Sequence, residues 1–231
     1  TNFANAIFDD ENNLVGGYIE TETRRADNTL KSTSKVTFAD GNPALSESTN
    51  YAKDGTTIID KTTTNFANAI FDDENNLVGG YIETETRRAD NTLKSTSKVT
   101  FADGNPALSE STNYAKDGTT VIDKTTTNFA NAIFDDENNL VGGYIETETR
   151  RADNTLKSTS KVTFADGNPS LSESTNYAKD GTAVIDKTTT DFSNAIFDDE
   201  NNLVGGYIET ETRRADNTLK STSKVTFADG N

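Results

Sequence analysis

The chain has 231 residues with a net charge of −16 and a pI near 4.4, and only 32% of it is hydrophobic. It contains no Cys, His, Met or Trp, so disulfides, Ser–His or Cys–His nucleophilic pairs and zinc centres built on thiolate or imidazole are excluded by composition. The acidic balance opposes binding to nucleic acid or to anionic membranes, both of which need Lys/Arg neutralisation, and no apolar run is long enough to span a bilayer.

The first elements in chain order set the unit of the whole sequence. A turn cluster, Asp9-Asp10-Glu11-Asn12-Asn13, precedes a β-prone run, Leu14 to Arg25, rich in Val, Ile, Tyr and Thr. Gly16-Gly17 inside that run predicts a bulge or a close backbone approach. Ala26-Asp27-Asn28 is a second turn, followed by a run from Thr29 to Phe38. In it Leu30, Ser32, Ser34, Val36 and Phe38 share one face, while Thr29, Lys31, Thr33, Lys35 and Thr37 share the other. Ala39-Asp40-Gly41-Asn42-Pro43 and Lys53-Asp54-Gly55 are the remaining turns, with Asp-Gly pointing to type I′ hairpins. Between and after them lie Ala44 to Tyr51 and Thr56 to Phe71, and Ile58, Thr62, Phe66 and Ile70 of the latter fall on one face. Apolar residues gather toward the strand ends and Ser/Thr toward the middle, which predicts a thin sheet.

The segment beginning TNFANAIFDDENNLVGGYIET at Thr1 recurs at Thr64 and Thr127, and as TDFSNAIF at Thr190. The array therefore divides into repeats 1–63, 64–126, 127–189 and a partial repeat 190–231, and it reads as a segment of a longer series. The copies differ at five positions: Ile58 becomes Val121 and Val184, Thr57 and Thr120 become Ala183, Ala44 and Ala107 become Ser170, Asn2 becomes Asp191, and Ala4 becomes Ser193. An even number of strands returns the chain to its starting direction and lets the unit repeat. The expected fold is thus all-β: about four antiparallel strands per repeat in a meander, forming an elongated twisted or curled sheet that advances about 19 Å per repeat at ~4.8 Å per strand. The alternative is a β-solenoid with three 21-residue coils per repeat. The fixed recurrence of aromatic and branched residues between turns argues against disorder.

Candidate sites are sparse. Asp9, Glu11, Asn13 and Glu20 occupy oxygen positions of an EF-hand-like frame, but Leu14 stands where that frame needs Gly. This cluster and its repeats are a weak calcium candidate beside the plainer reading of a solvated turn. Tyr18, Arg24, Arg25 and Tyr51 and their repeats are candidate contacts for a glycan or a surface protein, with cross-strand packing as the alternative. Thr-rich strands raise ice binding, against which Glu22, Arg24, Arg25, Lys31 and Lys35 interrupt the pattern. Carboxylates that recur identically every 63 residues do not form the single cleft an active site needs, so no enzyme is expected.

Tyr51-Ala52-Lys53-Asp54-Gly55-Thr56 resembles the YD repeats of Rhs-type bacterial shell proteins, without their compact Tyr-Asp-x-x-Gly-Arg core. The whole chain, acidic, Cys-free, rich in Thr, Asn and Asp and nearly identical between copies, resembles the stalks of bacterial cell-surface adhesins and extracellular matrix fibres. That resemblance implies an extracellular or cell-surface setting and a structural role: spacing a terminal domain, or forming biofilm matrix filaments, with the chain itself as partner through lateral or end-to-end association. A multivalent binding array is the alternative, and a toxin-shell segment is what the YD resemblance would imply.

Overall fold

A computed structural model describes residues 1–227. The chain forms two compact units, Thr1–Ile122 and the part from Asp123 onward. Among the described residues all regular structure is β, and every strand pairing is antiparallel. Antiparallel neighbours joined by tight turns exclude the 21-residue solenoid, whose successive coils would stack in parallel.

In the first unit the strands are β1 (Ala6–Phe8), β2 (Leu14–Arg24), β3 (Leu30–Ala39), β4 (Asn42–Tyr51), β5 (Ile58–Asn65), β6 (Ala69–Phe71), β7 (Leu77–Arg88), β8 (Leu93–Ala102) and β9 (Asn105–Tyr114). Each long strand pairs with the next: β2 with β3, β3 with β4, β4 with β5, β5 with β7, and β7 with β8. The second unit repeats the scheme. Its strands are β10 (Val121–Asn128, entered from the first unit), β11 (Ala132–Phe134), β12 (Leu140–Arg151), β13 (Leu156–Ala165), β14 (Asn168–Tyr177), β15 (Val184–Asp191), β16 (Ala195–Phe197), β17 (Leu203–Arg214) and β18 (Leu219–Phe227).

The meander is as expected, with one correction to its fourth strand. Thr56 to Phe71 is not one strand but two, β5 and β6, laid end to end along the same edge of β7. The break is a turn at Phe66–Asn68, closed by the Ala69 N–H on the Phe66 carbonyl at 2.8 Å. Opposite it, Gly80 has φ +76°, and a Cβ there would lie 2.0 Å from the Asn68 carbonyl oxygen. That carbonyl instead accepts the Tyr81 N–H at 2.9 Å. Gly17 plays the same part opposite Asn5, so the Gly-Gly pair does mark a close approach.

The two Asp-Gly turns differ. Asp40 and Gly41 have φ of 49° and 80°, the type I′ geometry expected of a two-residue hairpin, and Ala39 pairs with Asn42. Pro43 therefore lies inside β4 rather than in the turn. It sits beside a register shift, opposite Phe38, where a missing N–H does least harm. At Asp54-Gly55 only the glycine has positive φ. The Gly55 N–H closes onto the Ala52 carbonyl at 2.9 Å, and Ala52 in turn donates to Thr57. This longer loop is not type I′. It is built on the Asp54 carboxylate, which accepts the Thr56 and Thr57 N–H groups at 2.9 and 2.8 Å.

Among the described residues no hydrophobic side chain is buried, and the only buried ones are Asp60, Asp123 and Asp186. Each unit is thus a single layer of sheet held by its ladders, turns and cross-strand pairs rather than by an apolar interior. The thin-sheet expectation from the strand composition holds. Large apolar residues such as Ile7 (58% exposed) and Ile59 (52% exposed) are left in solvent.

Candidate functional site

The three buried aspartates mark the joints between repeats. Asp60 stands on β5, whose partner β7 belongs to the next repeat. Its Oδ1 accepts the Asn50 side-chain amide at 2.8 Å, and its Oδ2 accepts Lys94 Nζ at 2.7 Å. Lys94 reaches it because β8 carries an extra residue there: Thr86 pairs with Ser95, but Arg87 pairs with Leu93. Asp123 takes Lys157 Nζ at 2.7 Å, and Asp186 takes Asn176 and Lys220 at 2.8 and 2.6 Å. The Lys94 bond, and after it the Asn50 bond, hold the Asp60 carboxyl below its ordinary range against the opposing effect of burial.

A second clamp works within each of the three full repeats. Arg25 donates through Nη1 to the Leu30 carbonyl at 2.6 Å and through Nη2 to the Tyr51 carbonyl at 2.7 Å. Arg88 and Arg151 repeat this on Tyr114 and Tyr177 at 2.7 and 2.8 Å.

The registers sort the strand centres onto two unlike faces. On one, Thr21, Ser34, Ser48, Thr62, Thr86 and Ser95 follow one another across six strands. The neighbouring row runs Ile19, Val36, Ser46, Thr64, Thr84 and Ser97. Facing hydroxyls bond each other: Thr62 with Thr86 and Thr64 with Thr84, both at 3.1 Å. The second unit has the same pairs, Thr125 with Thr149 and Thr127 with Thr147. The opposite face carries the charge, with Glu20, Lys35, Glu47, Thr63 and Glu85 in one row. Glu22 and Lys35 therefore do not interrupt the Ser/Thr rows; they lie behind them. On the first unit's charged face a shallow trough of about 630 Å³ runs over Thr33, Thr49 and Thr63, flanked by Lys35, Glu47 and Lys61.

The candidate contact residues do not form one site. Tyr18 pairs with Thr37 near the glycine end of β2, and the Lys35 ammonium lies 4.1 Å from its ring centroid. The same cation–π contact recurs at Tyr81, Tyr144 and Tyr207. Arg24 lies at the other end of β2, bonded to the Asn28 carbonyl at 3.1 Å and to Glu22 at 2.9 Å. Only Arg25 and Tyr51 meet, and they do so through a backbone carbonyl.

The calcium candidate is occupied with its own turn. Asp9 Oδ1 accepts the Glu11 and Asn13 N–H groups at 3.0 and 2.7 Å, and Oδ2 accepts the Asn13 amide at 3.1 Å. These bonds, the Asn13 N–H first, lower the Asp9 carboxyl. Glu20 lies on β2 opposite Lys35. Among the described residues no three acidic side chains converge as a metal site.

The Asp60 joint was missed in the sequence reading. Its signal in the sequence is a carboxylate set between Ile58-Ile59 and Lys61-Thr62, within a strand. No protein-family model and no curated protein matches the chain.

Proposed function

We propose that the chain is a structural β-repeat array, a non-catalytic spacer or fibre element of a cell surface or extracellular matrix. One observation carries this reading. The joint between repeats is a full antiparallel ladder, Asp60↔Arg88 through Asn65↔Glu83, reinforced by the ion pair of the buried Asp60 with the half-exposed Lys94. Repeats joined in this way add length without adding a hinge, and near-identity of copies suits a part whose reach matters more than any one side chain. The acidic surface discourages non-specific association of long arrays. The resemblance to adhesin stalks and matrix fibres points the same way.

Small-angle scattering on chains of two, three and four repeats tests it. Maximum dimension should grow by about 19 Å per repeat, four strand spacings, with and without a calcium chelator. Dimensions that saturate with repeat number would overturn the spacer reading.

The trough on the charged face supports a second reading, a multivalent array for an extended glycan. In that case affinity on a glycan surface climbs steeply with repeat number, and Lys35→Ala with its repeats abolishes it.

A further inference from the structure

The two faces of the sheet differ in a way a spacer does not require. One face carries the long Glu, Lys and Tyr side chains. The other has Ser, Thr, Val and Ile at its centre, with no charge in its two inner rows. A face kept for solubility alone would carry charge on both sides, as the net charge of −16 otherwise suggests.

We infer that the hydroxyl face is where a second copy of this chain docks, the two sheets mating face to face. This rests on the structural reading above and names its partner.

Two observations support a copy of the same chain as the occupant. Small side chains leave the face nearly flush with the backbone, so two such faces can approach closely along their lengths. The Thr hydroxyls that face each other are already bonded, Thr62 to Thr86 and Thr64 to Thr84. Each such pair satisfies one of its two donors within the chain, which lowers by that much the cost of drying a polar face. A surface that recognised ice or a crystalline sugar would instead keep those hydroxyls turned outward for its ligand.

Electrostatics and area agree. Between two acidic chains, contact through the other face brings carboxylates together, whereas the two inner hydroxyl rows carry no charge and the nearest carboxylate on their face, Asp60, is already paired with Lys94. In the first unit seven strand rows at ~4.8 Å by about 20 Å of strand give roughly 700 Å² per copy. Two copies would bury about 1,400 Å², within the range of stable, specific interfaces. The row Ile19–Val36, repeated at Ile82–Val99, adds an apolar strip to that area.

The test is sedimentation of the 231-residue chain over a concentration series, with two triple variants. Ser48→Lys with Ser111→Lys and Ser174→Lys places lysines on the hydroxyl face. Thr49→Lys with Thr112→Lys and Thr175→Lys makes the same charge change on the opposite face, one residue along. Far-UV circular dichroism confirms that both retain sheet. The wild type should rise toward twice the 25.0 kDa monomer mass, and so should the Thr variant. The Ser variant should stay monomeric, its dissociation constant raised at least about tenfold, as ~1.4 kcal/mol of lost contact would give. A wild type monomeric at every concentration overturns the inference, as do two variants that dissociate alike. A monomer that binds ice or crystalline polysaccharide through Ser48 and its repeats overturns it in favour of a foreign occupant. In each case the scattering length per repeat still judges the spacer reading separately.

Discussion

The Arg25 guanidinium donates to the Tyr51 carbonyl at 2.7 Å, across 26 residues of sequence and from the turn after β2 to the last residue of β4. It simultaneously holds the Leu30 carbonyl. One side chain thus ties three strand ends together where the sheet has no apolar interior to do so. Arg25→Lys should not substitute, because an ammonium cannot present two parallel donors in a fixed fork. With Arg88→Lys and Arg151→Lys, each site should lose about 1–2 kcal/mol, read as a lower urea midpoint with the slope unchanged. An unchanged midpoint would show that these bonds are replaced by water at no cost.

The Asp60 joint makes a sharper claim about position. Asp60→Ala frees Lys94 and Asn50, and Lys94, about half exposed, can return to solvent. The expected loss is therefore that of charged hydrogen bonds, roughly 2 kcal/mol, rather than that of an orphaned buried ion. Hydrogen exchange should locate it: amides of β5 and β7 exchange faster, while those of β2 and β3 are unaffected. Uniform acceleration would mean that the joint is not a local feature.

Gly79 and Gly80 give a paired test of backbone strain. An alanine Cβ at position 79 meets its nearest neighbour, Ile70, at 3.8 Å, which is ordinary contact. At position 80 the positive φ and the 2.0 Å approach to the Asn68 carbonyl both resist a side chain. Gly80→Ala should cost more than about 2 kcal/mol and open β6 from β7, while Gly79→Ala should stay within about 1 kcal/mol. Equal effects at the two positions would contradict the break between β5 and β6.

Acid should weaken the fold in a defined window. The Asp54 carboxyl is lowered to about 2, first by the Thr57 hydroxyl and then by the Thr56 and Thr57 N–H groups, and Asp117 behaves alike. Asp9 and Asp60 shift in the same direction. A folded pKa below the unfolded value means that the unfolded chain takes up protons first. The contribution is complete above about pH 4 and fades as pH falls through about 2. The urea midpoint should therefore hold steady from about pH 8 to 5 and decline between about 4 and 2. A decline beginning near neutrality would point to other groups.

The repeats contain their own control for that assignment. Ala183 stands where Thr57 and Thr120 donate a hydroxyl, and Asp180 is lowered first by the Thr182 and Ala183 N–H groups, then by the Thr182 side chain and Arg151. In carboxyl NMR titrations Asp180 should titrate above Asp54 and Asp117, and Ala183→Thr should bring it down to meet them. Coincident curves in the parent chain would remove the hydroxyl from the explanation.

What the sequence made legible was what depends on period and on turn chemistry. Period-2 alternation from Thr29 to Phe38 placed Ser34 and Lys35 on opposite faces, and the registers keep them there. Gly16-Gly17 announced a close approach, and Gly17 makes one. Less legible was anything set by a single extra residue. The shift that brings Lys94 to Asp60 is a one-residue bulge, and the break at Phe66–Asn68 is marked only by Asn65 and Asn68 inside a run otherwise rich in Thr and Ile. Asp40-Gly41 and Asp54-Gly55 share a dipeptide yet differ in turn type, because Thr56 and Thr57 give Asp54 two N–H groups to accept. Tyr18, Arg24, Arg25 and Tyr51 stand out as contacts by residue type, and type does not reveal that Arg25 is engaged by carbonyls.

A sheet with no buried hydrophobic residue among those described has a consequence for its behaviour with temperature. The heat-capacity increment of unfolding comes from newly wetted apolar surface and is offset by newly wetted polar surface. Here the first is small and the second large, so the increment per residue should fall well below the ~12–15 cal/mol/K of ordinary globular proteins. The curve of stability against temperature then flattens, and the array keeps nearly the same margin against unfolding in the cold as in warmth.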